Sequence, residues 1–326
     1  MIAITGAAGF IGSNLACVLA REEPAAELVL VDHPLDRSRA ANLALPDGAS
    51  FRFVSHGAFL EALAGGQLAP SLIYHLGACS DTTETRWPYL LENNVAYSQR
   101  LWQWSAGHGT RLVYASSAAT YGNGSQGFSD RLHPSRLVPL NLYGKSKNDF
   151  DAWALEQVAG GHPAPPVWAG MKFFNVYGPR ELHKGRMASV VYHGLRQLRE
   201  EGCVRLFRSN DPGYADGGQM RDFVYVEDCI AHMRYFAGGG GPSGLYNSGS
   251  GQARSFADLA HAICAAAGRP AEIRFVDMPE ALRSTYQNFT QADLQSLRAA
   301  GCTTAPTSLE EGVARTVAWI LEQTGG

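Results

Sequence analysis

The chain lacks any apolar run long enough to cross a bilayer as a helix, for which roughly 20 residues are needed. Charge is thin: 17% of the 326 residues are Asp, Glu, Lys or Arg, and the formal net charge is −3. No cluster of Lys and Arg offsets that balance, which argues against a nucleic-acid partner. The six cysteines (Cys17, Cys79, Cys203, Cys229, Cys264, Cys302) form no Cys-x-x-Cys pair and have no histidines at matching spacing. This excludes a disulfide framework and a zinc site, so reduced thiols and no structural metal are expected. No internal repeat is visible. Residues 1–5 read as a strand running straight into a glycine loop, leaving no room for a signal peptide, and the expected compartment is the cytoplasm. A hydrophobic share of 45% is ordinary for a globular enzyme.

What is present alternates. Short apolar runs at 2–5, 28–31 (ending at Asp32), 51–54, 72–76, 111–115 and 167–174 have the length of parallel strands buried on both faces. Helical segments lie between them at 12–21, 58–64, 87–106 and 141–158. That order predicts a doubly wound α/β fold with a parallel sheet covered on both sides. After Asn175 the regularity breaks. An amphipathic helix is expected over 187–201, a loop over 211–218, strands at 221–226 and 244–247, and helices near 256–267 and 291–300. Thr307-Ser308-Leu309-Glu310 has the capping-box pattern of a last helix. The expected division is a dinucleotide-binding Rossmann domain over 1–177, completed by parts of 221–250, and a smaller mixed α/β substrate lobe over 178–326. The aromatics Trp87, Tyr97, Trp102 and Trp104 have helical spacing and read as core or subunit interface, not as a stacking platform.

Gly6, Gly9 and Gly12 follow the first strand and open the first helix, the context in which a glycine motif cradles a pyrophosphate. Asp32 ends the second strand twenty residues after Gly12, where an acid binds the adenosine ribose and favours NAD. Arg37 and Arg39 follow closely and suit the 2′-phosphate of NADP, so both cofactors stay open.

Tyr143 and Lys147 are four residues apart on a predicted helix and share one face. A cation beside a phenol stabilises the phenolate and lowers its pKa, which suits a base taking a proton from an alcohol while hydride leaves the same carbon. Ser117 follows the strand at 111–115, at the strand end where such folds place their sites, and can hydrogen-bond the reacting oxygen. Ser116 reads as packing. Ala118 and Ala119 stand where an acid pair would support elimination of water, which argues against dehydratase chemistry.

Together the glycine loop, Ser117, Tyr143 and Lys147 resemble the extended short-chain dehydrogenase/reductase family of nucleotide-sugar enzymes. Three blocks narrow the resemblance to its ADP-L-glycero-D-manno-heptose 6-epimerase branch: residues 75–84 (HLGACSDTTE), 174–190 (FNVYGPRELHKGRMASV) and 286–294 (YQNFTQADL). The resemblance implies NADP, with NAD as the alternative, held by Phe10, Ile11, His33, Arg39, Leu76, Gly77, Ala78, Cys79, Ser80, Asn93, Val176 and Lys184. It implies Lys184 as a second acid/base. It implies ADP-heptose held by Ser117, Asn175, Arg186, His193, Phe207, Arg208, Ser209, Asn210, Arg221 and Tyr286. It further implies a homopentamer serving lipopolysaccharide core synthesis. A UDP-hexose 4-epimerase would use the same Ser-Tyr-Lys set without Lys184. A cofactor-sensing protein without turnover is the reading from another class.

Overall fold

The computed structural model describes residues 1–283 and 286–325, leaving aside the side chains of 37, 38, 281 and 282. Its strands are β1 (Ile2–Thr5), β2 (Leu28–Asp32), β3 (Phe51–Ser55), β4 (Leu72–His75), β5 (Arg111–Ser117), β6 (Trp168–Phe173), β7 (Asn175–Tyr177), β8 (Val204–Phe207), β9 (Met220–Tyr225), β10 (Gly244–Ser248), β11 (Ala253–Ser255) and β12 (Ile273–Val276). Seven form one parallel sheet in the order β10-β6-β5-β4-β1-β2-β3. The strands β1, β2 and β4 are buried throughout, as continuous apolar runs require when helices cover both faces. The expectation of two buried faces fails for β3. It is the sheet edge, and Phe51 and Phe53 are exposed there.

Strand order reverses beside β1, with β2 on one side and β4 on the other. The connections leaving β1 and β4 therefore diverge and open a crevice at the strands' C-terminal ends. The glycine loop after β1 and residues 76–80 after β4 form its walls.

The remaining strands form two small sheets, β11-β9-β7 and β12-β8. Helices Val190–Glu201, Phe256–Ala266 and Leu309–Thr324 pack around them. Three boundaries differ from the sequence reading. The helix expected from residue 187 starts at Val190, capped by the Ser189 side chain. The one expected from 291 is short, Gln295–Ala299. The last helix is capped by Ser308, whose Oγ accepts from Glu311 N, and not by Thr307. Thr307 instead gives both its N–H and its hydroxyl to the Asp228 carboxylate, a partner far away in sequence.

Candidate active site

Helix Phe10–Glu22 begins without a side-chain cap, because its N-cap residue is Gly9 and its first turn carries no acid. The unpaired N–H groups of that turn and the positive end of the helix dipole suit a pyrophosphate. Two glycines are dictated by close approach. A Cβ on Gly12 would lie 2.1 Å from the Gly6 carbonyl oxygen. Gly6 itself has φ +69°, and its Cβ would meet Gly77 N at 2.7 Å. The loop thus lets main chain, helix and ligand share a space that side chains would fill. A dinucleotide fits this cradle.

Facing it, the loop after β4 is held from below. His75 bridges the Thr5 hydroxyl (2.7 Å) and the Ser98 hydroxyl (2.8 Å), and Thr5 Oγ1 accepts from Gly77 N at 3.0 Å. Burial drives the His75 pKa down to about 3, so the ring works as a neutral strut. Asn94 closes the other side: its side chain bonds both Cys79 N (2.8 Å) and Cys79 O (3.0 Å), and donates to Ser146 Oγ at 2.9 Å. The helix expected over 87–106 is interrupted by a π-turn at Leu91–Ala96, which contains Asn93 and Asn94. Such turns shift side chains by a fraction of a helical turn and recur at functional sites. Nothing in the local sequence signals it.

At the ribose end, the Asp32 carboxylate is not a waiting acceptor. Ala8 N donates to it at 2.9 Å, His33 N at 2.7 Å and Arg39 Nη2 at 2.5 Å. The Arg37 side chain lies outside the described residues. Sequence reasoning missed His56, which lines the same cleft and stacks between His33 (4.5 Å) and Tyr97 (4.0 Å). As the residue capped by Ser55 at the start of a helix, it carried no motif signal.

The dinucleotide cleft runs into a cavity of about 640 Å³, and Phe10, Ile11, Leu76, Ala78, Ser80 and Lys184 line both. Helix Leu142–Ala159, capped by Asn141, delivers Tyr143 and Lys147 to this cavity, and the end of β5 delivers Ser117. Ser117 Oγ accepts from Ala119 N at 3.1 Å, and its hydroxyl acts on the Tyr143 phenol in the sense of lowering its pKa. One expectation is corrected: the Tyr143 pKa is not depressed here. Burial raises it, and the Ser117 hydrogen bond opposes. The Lys147 ammonium donates instead to the Ala115 carbonyl at 2.8 Å, and burial brings its own pKa down to about 8.

Lys184 arrives on the segment after β7, which is fastened to the glycine-loop side. Asn14 donates to the Pro179 carbonyl at 2.9 Å, and Asn42 bonds Ala8 O (3.1 Å), Arg180 O (3.2 Å) and His183 Nδ1 (2.8 Å). Arg180 sits at φ 68°, a strained conformation for a non-glycine residue, held by its guanidinium on the Asn42 and Ala44 carbonyls. The result hangs the Lys184 ammonium 4.9 Å from the Phe10 ring centroid. Burial lowers its pKa, and the nearby Glu181 opposes.

A second group in the cavity suits a nucleotide diphosphate. Arg221 is buried, with its guanidinium carbon 5.1 Å from the Tyr286 ring and 5.5 Å from Phe256. Among the described residues no carboxylate lies within salt-bridge distance of it, so a buried cation awaits an anion. Phe207 meets Tyr286 edge-on at 6.3 Å.

The profile of the NAD dependent epimerase/dehydratase family matches residues 2–249. The chain belongs to that family. Within it, the chain is similar to the ADP-L-glycero-D-manno-heptose-6-epimerases of Nitratidesulfovibrio vulgaris strain DP4, at 44% identity over 96% of this chain and 95% of the relative, and of Fusobacterium nucleatum, at 41% identity over 96% of each. Among solved structures it is similar to the Helicobacter pylori ADP-L-glycero-D-manno-heptose-6-epimerase, with TM-score 0.79 and 27% identity over 98% of this chain and 95% of that one. It is also similar to MoeE5 in complex with UDP-glucuronic acid and NAD, with TM-score 0.77 and 29% identity over 99% of both.

For this epimerase/dehydratase family chain, the cavity brings together Ser117, Tyr143, Lys147, Asn175, Val176, Lys184, Phe207, Arg221 and Tyr286. The dinucleotide cleft collects Gly6, Gly9, Gly12, Asp32, His33, Arg39, Gly77, Cys79 and Asn93. Five residues named from the resemblance lie outside the cavity lining. Arg186 is exposed and paired with Asp81 and Thr83, at 2.9 and 2.7 Å. His193 lies on helix Val190–Glu201 against Tyr192. Arg208 pairs with Asp216, Ser209 N donates to the same carboxylate, and Asn210 donates to the Arg283 carbonyl. The bonds to Asp216 fold the 207–216 turn on itself, and the one from Asn210 ties it to residue 283.

Proposed function

We propose that this protein is an ADP-glyceromanno-heptose 6-epimerase, converting ADP-D-glycero-D-manno-heptose to its L-glycero epimer. The observation that carries this reading is that two proton-handling side chains, Tyr143 and Lys184, line one cavity into which a dinucleotide cleft opens. The level and reach of identity to heptose epimerases supply the sugar.

The carbon to be inverted bears a secondary alcohol whose C–H is not acidic, so inversion requires transient oxidation. The nicotinamide cofactor supplies the place where a hydride is held and from which it is returned. Tyr143 takes the proton of one epimer's hydroxyl, with Ser117 steadying the oxygen and Lys147 supplying positive charge nearby. The reacting carbon lies outside the sugar ring. Rotation about one bond presents the other face of the ketone and carries its oxygen away from Tyr143. Lys184, on the glycine-loop side of the cavity, then gives the proton to the second alcohol. Arg221 holds the diphosphate, and Phe207 and Tyr286 flank the base. Ala118 and Ala119, in place of acids, leave no group beside Ser117 to drive loss of water.

NADP is the working cofactor in this reading. Asp32 spends its charge on Arg39, so its repulsion of a 2′-phosphate is blunted while Arg39 keeps further donors to offer. The enzyme works in the cytoplasm as a homopentamer; in support, no helix among the described residues is long and apolar enough to cross a membrane, and the pentamer rests on the resemblance alone.

Purified protein given ADP-D-glycero-D-manno-heptose should yield the L-epimer, with no net consumption of nicotinamide cofactor. Conversion of UDP-glucose with no action on ADP-heptose would replace this reading with the 4-epimerase one.

A further inference from the structure

The chain contains four lysines (Lys145, Lys147, Lys172, Lys184) against 23 arginines. Lysine is thus the rarer cation here, and the buried lysines mark places suited to a compact ammonium. Lys147 and Lys184 belong to the site above, and Lys145 pairs with Asp149 on the outer side of its helix. Lys172 has no such role. It lies on β6, fully buried, with Nζ 2.6 Å from Oδ2 of the equally buried Asp151.

Asp151 follows Lys147 by four residues and Tyr143 by eight, so all three project from one side of helix Leu142–Ala159. Its carboxylate also accepts from Ser116 Oγ at 2.6 Å and from the Tyr114 hydroxyl at 3.0 Å, both on β5. Lys172 gives a second hydrogen bond to Thr120 Oγ1 at 3.0 Å, and that hydroxyl donates to the Ser117 carbonyl at 2.8 Å. The pair thus ties the helix carrying Tyr143 and Lys147 to the strand end carrying Ser117. Stability alone does not account for it. Desolvating two charges costs several kcal/mol per ion, and apolar replacements of buried pairs are often neutral or stabilising.

We infer that Asp151 and Lys172 are positioning residues of the reaction centre: Asp151 supplies the counter-charge to Lys147, and Lys172 fixes both Asp151 and the turn that presents Ser117. The inference rests on the proposed function in taking Ser117, Tyr143 and Lys147 as the proton-handling set. Three groups bear on Lys147 from the elements around it. Asp151 on its own helix is the leading influence that opposes the effect of burial, and Cys79, from the loop after β4, acts in the same sense. His75 of β4 is neutral, its own pKa pushed down in part by Lys147.

The ionisation of Lys147 can be read directly by trace acetylation over roughly pH 6 to 11, scored per lysine by mass spectrometry, since only the neutral amine reacts. Exposed Lys145 is the internal reference. Asp151→Asn should lower the Lys147 midpoint by about one pH unit, a tenfold rise in its neutral fraction at a given pH below the midpoint. The high-pH limb of epimerisation should fall with it. The double variant Asp151→Asn/Lys172→Met removes both charges while keeping an acceptor for one of the Ser116 and Tyr114 hydroxyls, offering an amide donor to the other, and filling the lysine stem. It should melt near the unmutated protein yet still show a lowered Lys147 midpoint, and it decides the matter if the single variant does not fold. An unchanged Lys147 midpoint in the double variant overturns the inference. A failure of the proposed reaction is distinguishable: the unmutated protein would leave ADP-heptose untouched, while the Lys147 titration would still be readable.

Discussion

Replacing Arg39 with alanine should convert the cofactor preference, and the structure sets the size of the effect. The guanidinium now makes one short bond to Asp32 Oδ1 and is 29% exposed, while the Asp32 side chain is 2% exposed. A charge-assisted hydrogen bond to a phosphate contributes about 1.5–3 kcal/mol, and partial exposure puts Arg39 at the lower end. Its loss also uncovers the Asp32 charge. That carboxylate keeps the Ala8 and His33 N–H donors, so it stays ordered beside the 2′-phosphate. For charges about 4 Å apart the added repulsion runs from about 1 kcal/mol in bulk water to about 4 kcal/mol at an effective dielectric of about 20, and the open cleft puts it near the lower figure. NADP binding should therefore weaken by roughly 30- to 150-fold, about 2–3 kcal/mol. NAD should change by less than about threefold, because its ribose hydroxyl gains the Asp32 oxygen that Arg39 releases. Calorimetric titration with both cofactors at two salt concentrations measures this, and the NADP loss should shrink at high salt. Equal weakening of both cofactors, or tighter binding of NAD by the unmutated protein, would refute the argument and make Asp32 the deciding residue.

Tyr143→Phe keeps the ring and removes the hydroxyl, so epimerisation should fall on the order of 10²–10⁴-fold with cofactor affinity nearly unchanged; near-normal turnover would remove Tyr143 from the mechanism. Lys184→Met should abolish epimerisation yet still transfer deuterium to the cofactor from whichever epimer, labelled at the inverting carbon, faces Tyr143; undiminished transfer from both epimers would reduce Lys184 to a binding residue. Acid should unfold the protein early, because burial lowers His75 to about 3 and His232 to about 4. Their neutral forms favour the folded state fully above the unfolded histidine value of about 6.5, and that stability is lost as pH falls below it, by up to about 1.4 kcal/mol per pH unit for each ring. Urea midpoints between pH 7 and pH 5 check this, and a flat profile would show that neither ring is held neutral.

The parts legible in the sequence were those set by local pattern. Short apolar runs of strand length and a glycine spacing fixed by steric contact within one loop gave the sheet, the crevice and the cofactor side of the site. Tyr143 and Lys147 needed only helical periodicity. The chemistry of that pair was not legible, because it depends on where the helix lands. In the fold Lys147 bonds the Ala115 carbonyl 32 residues away, and burial acts on the phenol in the opposite sense to a neighbouring cation. Asp32 shows the same limit: its position told of a ribose ligand, and only the folded structure shows its charge already spent on Arg39.

Lys184 marks the furthest reach of this argument. No periodicity or spacing singles it out, and its place comes from contacts between distant segments. Asn14 with Pro179 spans 165 residues, and Asn42 with His183 spans 141. Both asparagines stand on the glycine-loop side, so the segment carrying Lys184 is secured to the element that would hold the dinucleotide, while the Glu181 carboxylate, which accepts from Ser189 N and Oγ, ties it to the start of helix Val190–Glu201 as well. The guanidinium of Arg180 on the Asn42 and Ala44 carbonyls holds the strained turn in place against relaxation, and with it the position of Lys184 beside the cofactor cleft. Tyr143 is fixed to the same large sheet through helix Leu142–Ala159 and the Asp151–Lys172 pair. In the proposed reaction both groups are thus referenced to one frame, which is what an intermediate that rotates between two fixed acids would require.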